Sequence, residues 1–402
     1  MKHALKTTVA LGAIAIGAPL ALAGCTSKTD STDAIAVTST NDACDLSTSD
    51  AQTGDVSFKI TNSGSKVTEF YVYGNNSRVL GEVENIGPGL SGNLKVEITE
   101  PGTYAVACKP GMVGLGLRKE IKVTGEKKEK SEAPADVNAA KARYLDYVRG
   151  QTAALSSQVA TFVNNVKSNN LDAARSQYGQ VRTSYERIEP VAESFQDLDP
   201  KVDMRWDDTA DGKEPFTGFH RIERFLWPPQ AAEIGDAQGQ IAPADAANAK
   251  TADTPAAIAK VADQLLADVN SLKTEVDKKD FVFETQSFVQ GPKALIDEVA
   301  ATKVDGEEDR YSHTDLWDFA ANVEGSQQLI GELQPIIEAK NKTLMNQITA
   351  AFTTVENSID KYREGDGYVS YDKVTAEQRK ALSNQIDALS AVLSQVPGVV
   401  LG

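Results

Sequence analysis

Gly125-Glu126-Lys127-Lys128-Glu129-Lys130-Ser131-Glu132-Ala133-Pro134-Ala135-Asp136 is where the chain changes its period. Lysine and glutamate dominate this stretch, with a proline and almost nothing apolar, the composition of a solvated linker. Before it, from about Ile35 to Val123, apolar and polar residues alternate. Val56, Phe58 and Ile60 share one face, Leu94, Val96 and Ile98 another, and Tyr104, Val106 and Cys108 follow the same rule. Clusters such as Asn62-Ser63-Gly64-Ser65, Gly74-Asn75-Asn76 and Gly87-Pro88-Gly89 separate the runs. Short half-buried strands at this spacing predict a β-sandwich. After the linker the period becomes helical and stays so. Tyr144, Tyr147, Val148, Ala154 and Leu155 open the first amphipathic stretch; others span Ala256 to Val276, Leu316 to about Lys361 and Thr375 to Val396. Ala, Gln, Glu and Leu dominate them, so long helices packed as bundles are expected. Trp227 to Pro255, rich in Pro, Gly, Ala and Asp, reads as an irregular stretch, an extended connection or surface loop.

The first residues read as an export signal. Lys2 and Lys6 precede an apolar run from Val9 to Ala23 that is short and rich in small residues, unlike a membrane span. It ends at Leu22-Ala23-Gly24-Cys25, which resembles the lipobox of bacterial lipoproteins, so Cys25 is expected to carry lipid. The expected order is signal (1–24), tether (25–34), sandwich (35–124), linker (125–136) and helical domain (137–402). The formal charge is −16 over 402 residues, and loss of Lys2 and Lys6 takes it to about −18. Such a surface argues against nucleic acid and favours cations.

Gly218-Phe219-His220-Arg221-Ile222-Glu223-Arg224 is the most informative stretch for chemistry. On a helix, His220 and Glu223 point to the same side and can share a cation. Imidazole with carboxylate suits iron or zinc, whereas calcium prefers oxygen alone. Upstream, Glu186, Glu189 and Glu193 fall on one helical stripe, and Pro190 is expected to kink the helix among them. Carboxylates at that spacing repel unless solvated or bridged by a cation.

Ile188-Glu189-Pro190, Asp197-Leu198-Asp199-Pro200, Gly218 to Glu223 and Tyr311-Ser312-His313-Thr314-Asp315-Leu316-Trp317-Asp318-Phe319 resemble the imelysin, or M75, family. The order of sandwich, charged linker and helical domain is similar to the long form of its iron-uptake members. The resemblance implies an N-terminal all-β cupredoxin-like sandwich followed by an all-α imelysin/M75 domain of two four-helix bundles, with a metal-binding cleft between the bundles. Carried over residue by residue, it implies ligands at His220, Glu223, Glu186, Glu189 and Asp203, with one acid of Glu307-Glu308-Asp309, taken as Glu308, closing the site. Asp315, Asp318 and His313 stand as either neighbours of the metal or packing and capping residues, Thr314-Asp315 reading as a helix start.

The sandwich contains no histidine, so an ordinary blue-copper site of two histidines and a cysteine is excluded. Two readings of its cysteines stay open. Cys44, Asp45, Glu69, Cys108 and Met112 form an altered copper or ferric site, the reading the family favours, or Cys44 and Cys108 pair as a disulfide.

The function implied by the resemblance is capture of iron, Fe(II) or Fe(III), outside the membrane and delivery to an EfeU-type permease, with an EfeB-type haem peroxidase as system partner. Zinc is expected as a surrogate. The chain reads as a carrier and not an enzyme, with metal oxidation at the sandwich left open. The rival reading is an M75-type zinc metallopeptidase. A zincin needs two histidines on one helix, and here His220 has only a glutamate partner nearby in sequence.

Overall fold

The computed structural model describes residues 34–401 except 75–78, 113–115, 130–131, 210–214 and 236–239. The expected signal, Cys25 and the expected tether up to residue 33 lie outside the described residues.

Alternation produces the expected sandwich. Its strands are β1 (Ile35–Ser39), β2 (Cys44–Leu46), β3 (Asp50–Gln52), β4 (Gly54–Asn62), β5 (Thr68–Tyr73), β6 (Val79–Ile86), β7 (Ser91–Ile98), β8 (Gly102–Cys108) and β9 (Leu117–Thr124). They form two sheets, β2-β1-β4-β7 and β3-β9-β8-β5-β6. β1 lies parallel to β4 and β3 parallel to β9. Val56, Phe58 and Ile60 of one sheet meet Phe70, Val72 and Val106 of the other, all buried, with Leu94 and Val96 beside them. Cys44 and Cys108 are joined as a disulfide across the two sheets. Closing a chain segment with ends 64 residues apart stabilises the fold by about 4 kcal/mol on loop entropy.

β5 departs from simple alternation, because all six of its residues are buried. Thr68, Phe70 and Val72 face the sandwich core, while Glu69, Tyr71 and Tyr73 face the opposite way. The helical domain covers that second face, with its segment 189–198 and helix 285–301 packed against β6.

The helical domain is built from α1 (Ala135–Lys167), α2 (Leu171–Glu186), α3 (Asp199–Asp203), α4 (Gly218–Leu226), α5 (Pro243–Ala252), α6 (Pro255–Val276), α7 (Thr285–Ala301), α8 (Asp315–Ile359), α9 (Ala376–Leu393) and α10 (Val396–Val400). α1, α2 and α6 pack together with α4, and α7, α9 and α10 form a second group. α8 belongs to both. It is interrupted at Asn341 (φ −154°, ψ 79°), whose Oδ1 accepts from the Leu344 N–H and so starts the helix again. Among the described residues, no helix is long and apolar enough to cross a membrane.

Two local expectations are corrected. Trp227 to Pro255 is not wholly irregular, since it contains α5, whose Asp245 receives Arg224 of α4 at 2.5 Å. α2 does not continue kinked through the acids: it stops at Glu186, and residues 189–198 tighten into a 3-10 helix. Pro190 lacks an N–H and its ring opposes the Glu186 carbonyl, so the α-helical ladder ends there. Glu186, Glu189 and Glu193 therefore do not share one helical stripe.

Candidate metal centre

α4 presents the central pair. Phe219, Ile222 and Leu226 are buried on its core side, which fixes the rotation of His220 and Glu223 toward α2, α3 and the start of α8. Gly218 opens the helix at φ +75°, and a Cβ there would lie 2.3 Å from the Val202 carbonyl oxygen. Only glycine allows α4 to start so close to α3.

His220 Nδ1 lies 3.0 Å from Glu223 Oε2. The other Glu223 oxygen accepts from the Tyr311 N–H at 3.0 Å, the Ser312 N–H at 2.7 Å and the Ser312 hydroxyl at 2.9 Å, which fixes the carboxylate. His220 Nε2 lies 3.4 Å from Asp203 Oδ1 and 3.3 Å from Glu308 Oε1. Although His220 is only 1 % exposed, Nε2 has no hydrogen-bond partner among the described residues. Two overlapping groups result, Asp203–His220–Glu308 and His220–Glu223–Asp309, each with donor atoms within 4.8 Å of one another. Carboxylate oxygens around one imidazole suit a hard or borderline cation.

Two buried cations thread the same acids. Arg182 donates to Glu186 and Asp203 at 2.5 Å each and reaches Glu308 at 3.2 Å, Asp318 at 3.4 Å and Asp309 at 3.6 Å. Lys303 lies 2.7 Å from Glu189 and 3.2 Å from Glu308. Asn322 donates to Glu186 at 2.9 Å and Glu189 at 2.5 Å.

The electrostatics follow from this excess of buried acid. Burial raises Glu186, opposed by Arg182 and Lys303. Burial and then the charge of Glu186 put Glu189 well above the usual carboxylate range. Burial, with Asp309 adding to it, does the same to Asp315. Against burial, Lys303 and Arg205 hold Glu308 well below that range, and Arg182 and His220 lower Asp203. His220 is pushed down by burial and Arg182, yet its contacts with Asp203, Glu223 and Glu308 prevail and raise it well above the ordinary imidazole range.

Of the sequence candidates, His220, Glu223, Asp203 and Glu308 converge. Glu186 and Glu189 turn to the Lys303 and Asn322 side instead. Among the acids of 307–309, Glu307 pairs with Arg205 at 3.1 Å, and Asp309 joins Glu308 at His220. Asp315 and Asp318 are buried next to Asp309 and Arg182. His313 turns elsewhere, to Glu233 at 3.6 Å. Thr314 precedes α8, but its hydroxyl binds Asp309 instead of capping the helix. Arg182, Lys303 and Asn322 were not foreseen; only Arg182, four residues before Glu186, has a local signal.

The sandwich candidates separate. Because Cys44 and Cys108 are bonded to each other, neither offers a thiolate, so of the two readings of the cysteines the disulfide holds and the altered metal site does not form at them. Period two completes the correction. Cys108 pairs with Phe70 on the core face, Glu69 points to the other face, and Asp45 is exposed beside the buried Cys44. Glu69 and Met112 instead line a cavity of about 390 Å³ between sandwich and helices, together with Glu189, Asp203 and Glu308. Tyr71 donates to Glu69 at 3.0 Å and Glu84 at 3.2 Å.

A sandwich of cupredoxin type joined to a helical, acid-lined centre defines the class, and comparisons agree. The imelysin (peptidase M75) family profile matches residues 140–396, and the cupredoxin-like domain profile matches 12–115. The chain belongs to the imelysin family, in the group of the iron uptake system component EfeO. It is 37 % identical over 373 residues to "Iron uptake system component EfeO" of Escherichia coli O1:K1 / APEC, covering 91 % of each chain. The proteins of that name from Escherichia coli strain K12 and Shigella flexneri are 36 % identical over the same length and share. A reduced auracyanin from Roseiflexus castenholzii overlays 23 % of this chain and 98 % of its own, at 14 % identity and a TM-score of 0.19.

Proposed function

We propose that this chain is the extracytoplasmic iron-binding component of an iron uptake system, anchored by lipid on Cys25. It takes iron as cargo at His220, Glu223, Asp203, Glu308 and Asp309 and yields it to an EfeU-type permease, with an EfeB-type haem peroxidase acting in the same system. The observation that carries this reading is that buried His220 Nε2 converges with Asp203 Oδ1 at 3.4 Å and Glu308 Oε1 at 3.3 Å, one imidazole nitrogen facing two carboxylate oxygens. Mixed imidazole and carboxylate donors bind iron and also accept zinc, which serves as a surrogate probe. The names of the relatives supply the iron and the uptake. The peptidase reading gains no support from the geometry, since His313, the other histidine among the described residues, faces Glu233 and not His220.

The test is metal content with binding isotherms for Fe(II), Fe(III), Cu(II) and Zn(II), on the parent chain and on His220→Ala/Glu223→Ala. Tight iron binding lost in the variant supports the carrier. Equal binding in both, or zinc binding joined to peptide cleavage, overturns it.

A further inference from the structure

Lys303 is fully buried at the start of a short 3-10 turn, Lys303–Asp305, where Tyr371 donates to the Val304 carbonyl and Arg379 to that of Asp305. The turn is thereby fixed from two sides, and the side chain reaches inward. Its ammonium meets oxygens of four residues: Glu189 at 2.7 Å, Glu308 at 3.2 Å, Asn322 at 3.4 Å and Glu186 at 3.8 Å. Oxygen atoms converging from separate elements on one buried positive charge are the donor set of a hard cation, and here an ammonium occupies it.

Glu308 adds an independent observation. Its Oε1 faces His220 and Arg182, while its Oε2 faces Lys303 and Arg205. A carboxylate that offers one oxygen to each of two neighbouring positive positions has the arrangement of a bridge between two cations.

We propose that Lys303 is a tethered counter-ion that fills the second of two adjoining cation positions, so that the centre loads metal at His220 and not among Glu186, Glu189 and Glu308. The proposal rests on the reading of His220 as a metal site. Arg182 cannot play this part, because it is engaged with five carboxylates at once and remains charged under all conditions. Lys303 is the single-point charge, and it defines the limit of the metal position. An ammonium cannot be passed to a partner as metal can, so the acids on its side never carry cargo. The same tether supplies the counter-charge of Glu189, as Arg182 supplies that of Glu186.

The experiment is metal stoichiometry, by Zn(II) and anaerobic Fe(II) titration of the full chain, on four forms. The parent chain is expected to take about one equivalent at the centre. Lys303→Met, which keeps the length and removes the charge, is expected to take about one equivalent more. Lys303→Arg is expected to restore the parent behaviour. Lys303→Met/Glu189→Gln is expected to lose the added equivalent, because the second position then lacks one of its acids. A purely structural lysine would lower the melting temperature of Lys303→Met without adding a binding equivalent. Lys303→Gln, which still donates to Glu189, takes the place of the methionine variant if that one does not fold. A folded, uncharged variant with parental stoichiometry and affinity overturns the proposal. A parent chain that binds neither metal overturns the His220 reading instead. The proposal then falls with that reading, whereas parental stoichiometry in a folded, uncharged variant overturns the proposal alone.

Discussion

The sandwich and the helical domain each bring potential metal ligands together in a buried place, and each ties them up differently. In the sandwich, Cys44 and Cys108 are closed on each other by a covalent bond. In the helical domain, Glu186, Glu189, Asp203 and Glu308 are held by the charges of Arg182 and Lys303. The first arrangement gives up coordination chemistry in return for a fixed fold. The second keeps its donors as donors, because an ion pair exchanges partners without breaking a covalent bond. Having ligands near one another therefore does not make a site; the bond that satisfies them decides.

The largest effect that would sharpen this contrast is expected at the central pair. His220→Ala/Glu223→Ala should weaken cation binding by on the order of 100-fold or more, read by isotherm, while the sandwich melts unchanged. Next in size is Arg182→Met, which leaves five carboxylates facing one another. Breaking a buried ion pair from one side costs about 3–5 kcal/mol, and denaturant unfolding followed by helical circular dichroism should show it. A loss within ±0.5 kcal/mol would mean that the acids are neutralised by protons and not by Arg182. Cys44→Ser/Cys108→Ser should destabilise the sandwich by about 4 kcal/mol and leave binding at His220 unaltered. Altered metal stoichiometry in that variant would break the comparison, since it would give the cysteines back a role.

The smallest effect concerns pH. Burial, opposed by Lys109 and helped by Asp199, pushes Glu193 up to about 7 in the cavity between the domains. A carboxyl raised above its unfolded value makes the folded state the better proton binder. Its contribution to stability is thus full below about pH 4.5 and is lost as pH rises through about 7. Glu193→Gln should remove that fall and gain about 1 kcal/mol at pH 8 relative to the parent, measured by thermal melts at pH 5 and pH 8. An unchanged pH profile would place the charge of Glu193 in solvent.

The legible parts of the molecule were those written in local periods. Alternation at Val56, Phe58 and Ile60 fixed one inward face, and the change of period at Gly125 marked the start of the helices. His220 and Glu223 were legible because three residues on a helix bring two side chains together. The Glu186–Glu189–Glu193 stripe was misread because Pro190 ends the helix and turns Glu193 toward the sandwich. Lys303 and Asn322 were beyond local reading, since they meet Glu189 across 114 and 133 residues of chain. The disulfide was open for a similar reason. Its formation depends on how two sheets stack, and no spacing along the chain encodes that.

Strand β5, buried on both sides, also bears on how the protein can be taken apart. Because Tyr71 and Tyr73 are stacked at 5.7 Å on the face that meets the helices, a separately expressed sandwich would display aromatic surface to water. The linker is written like a flexible joint, yet the joint has been glued shut beside it. Chimaeras that exchange the sandwich among relatives would have to carry the matching 189–198 segment with it, so the exchangeable unit of this architecture is larger than the domain.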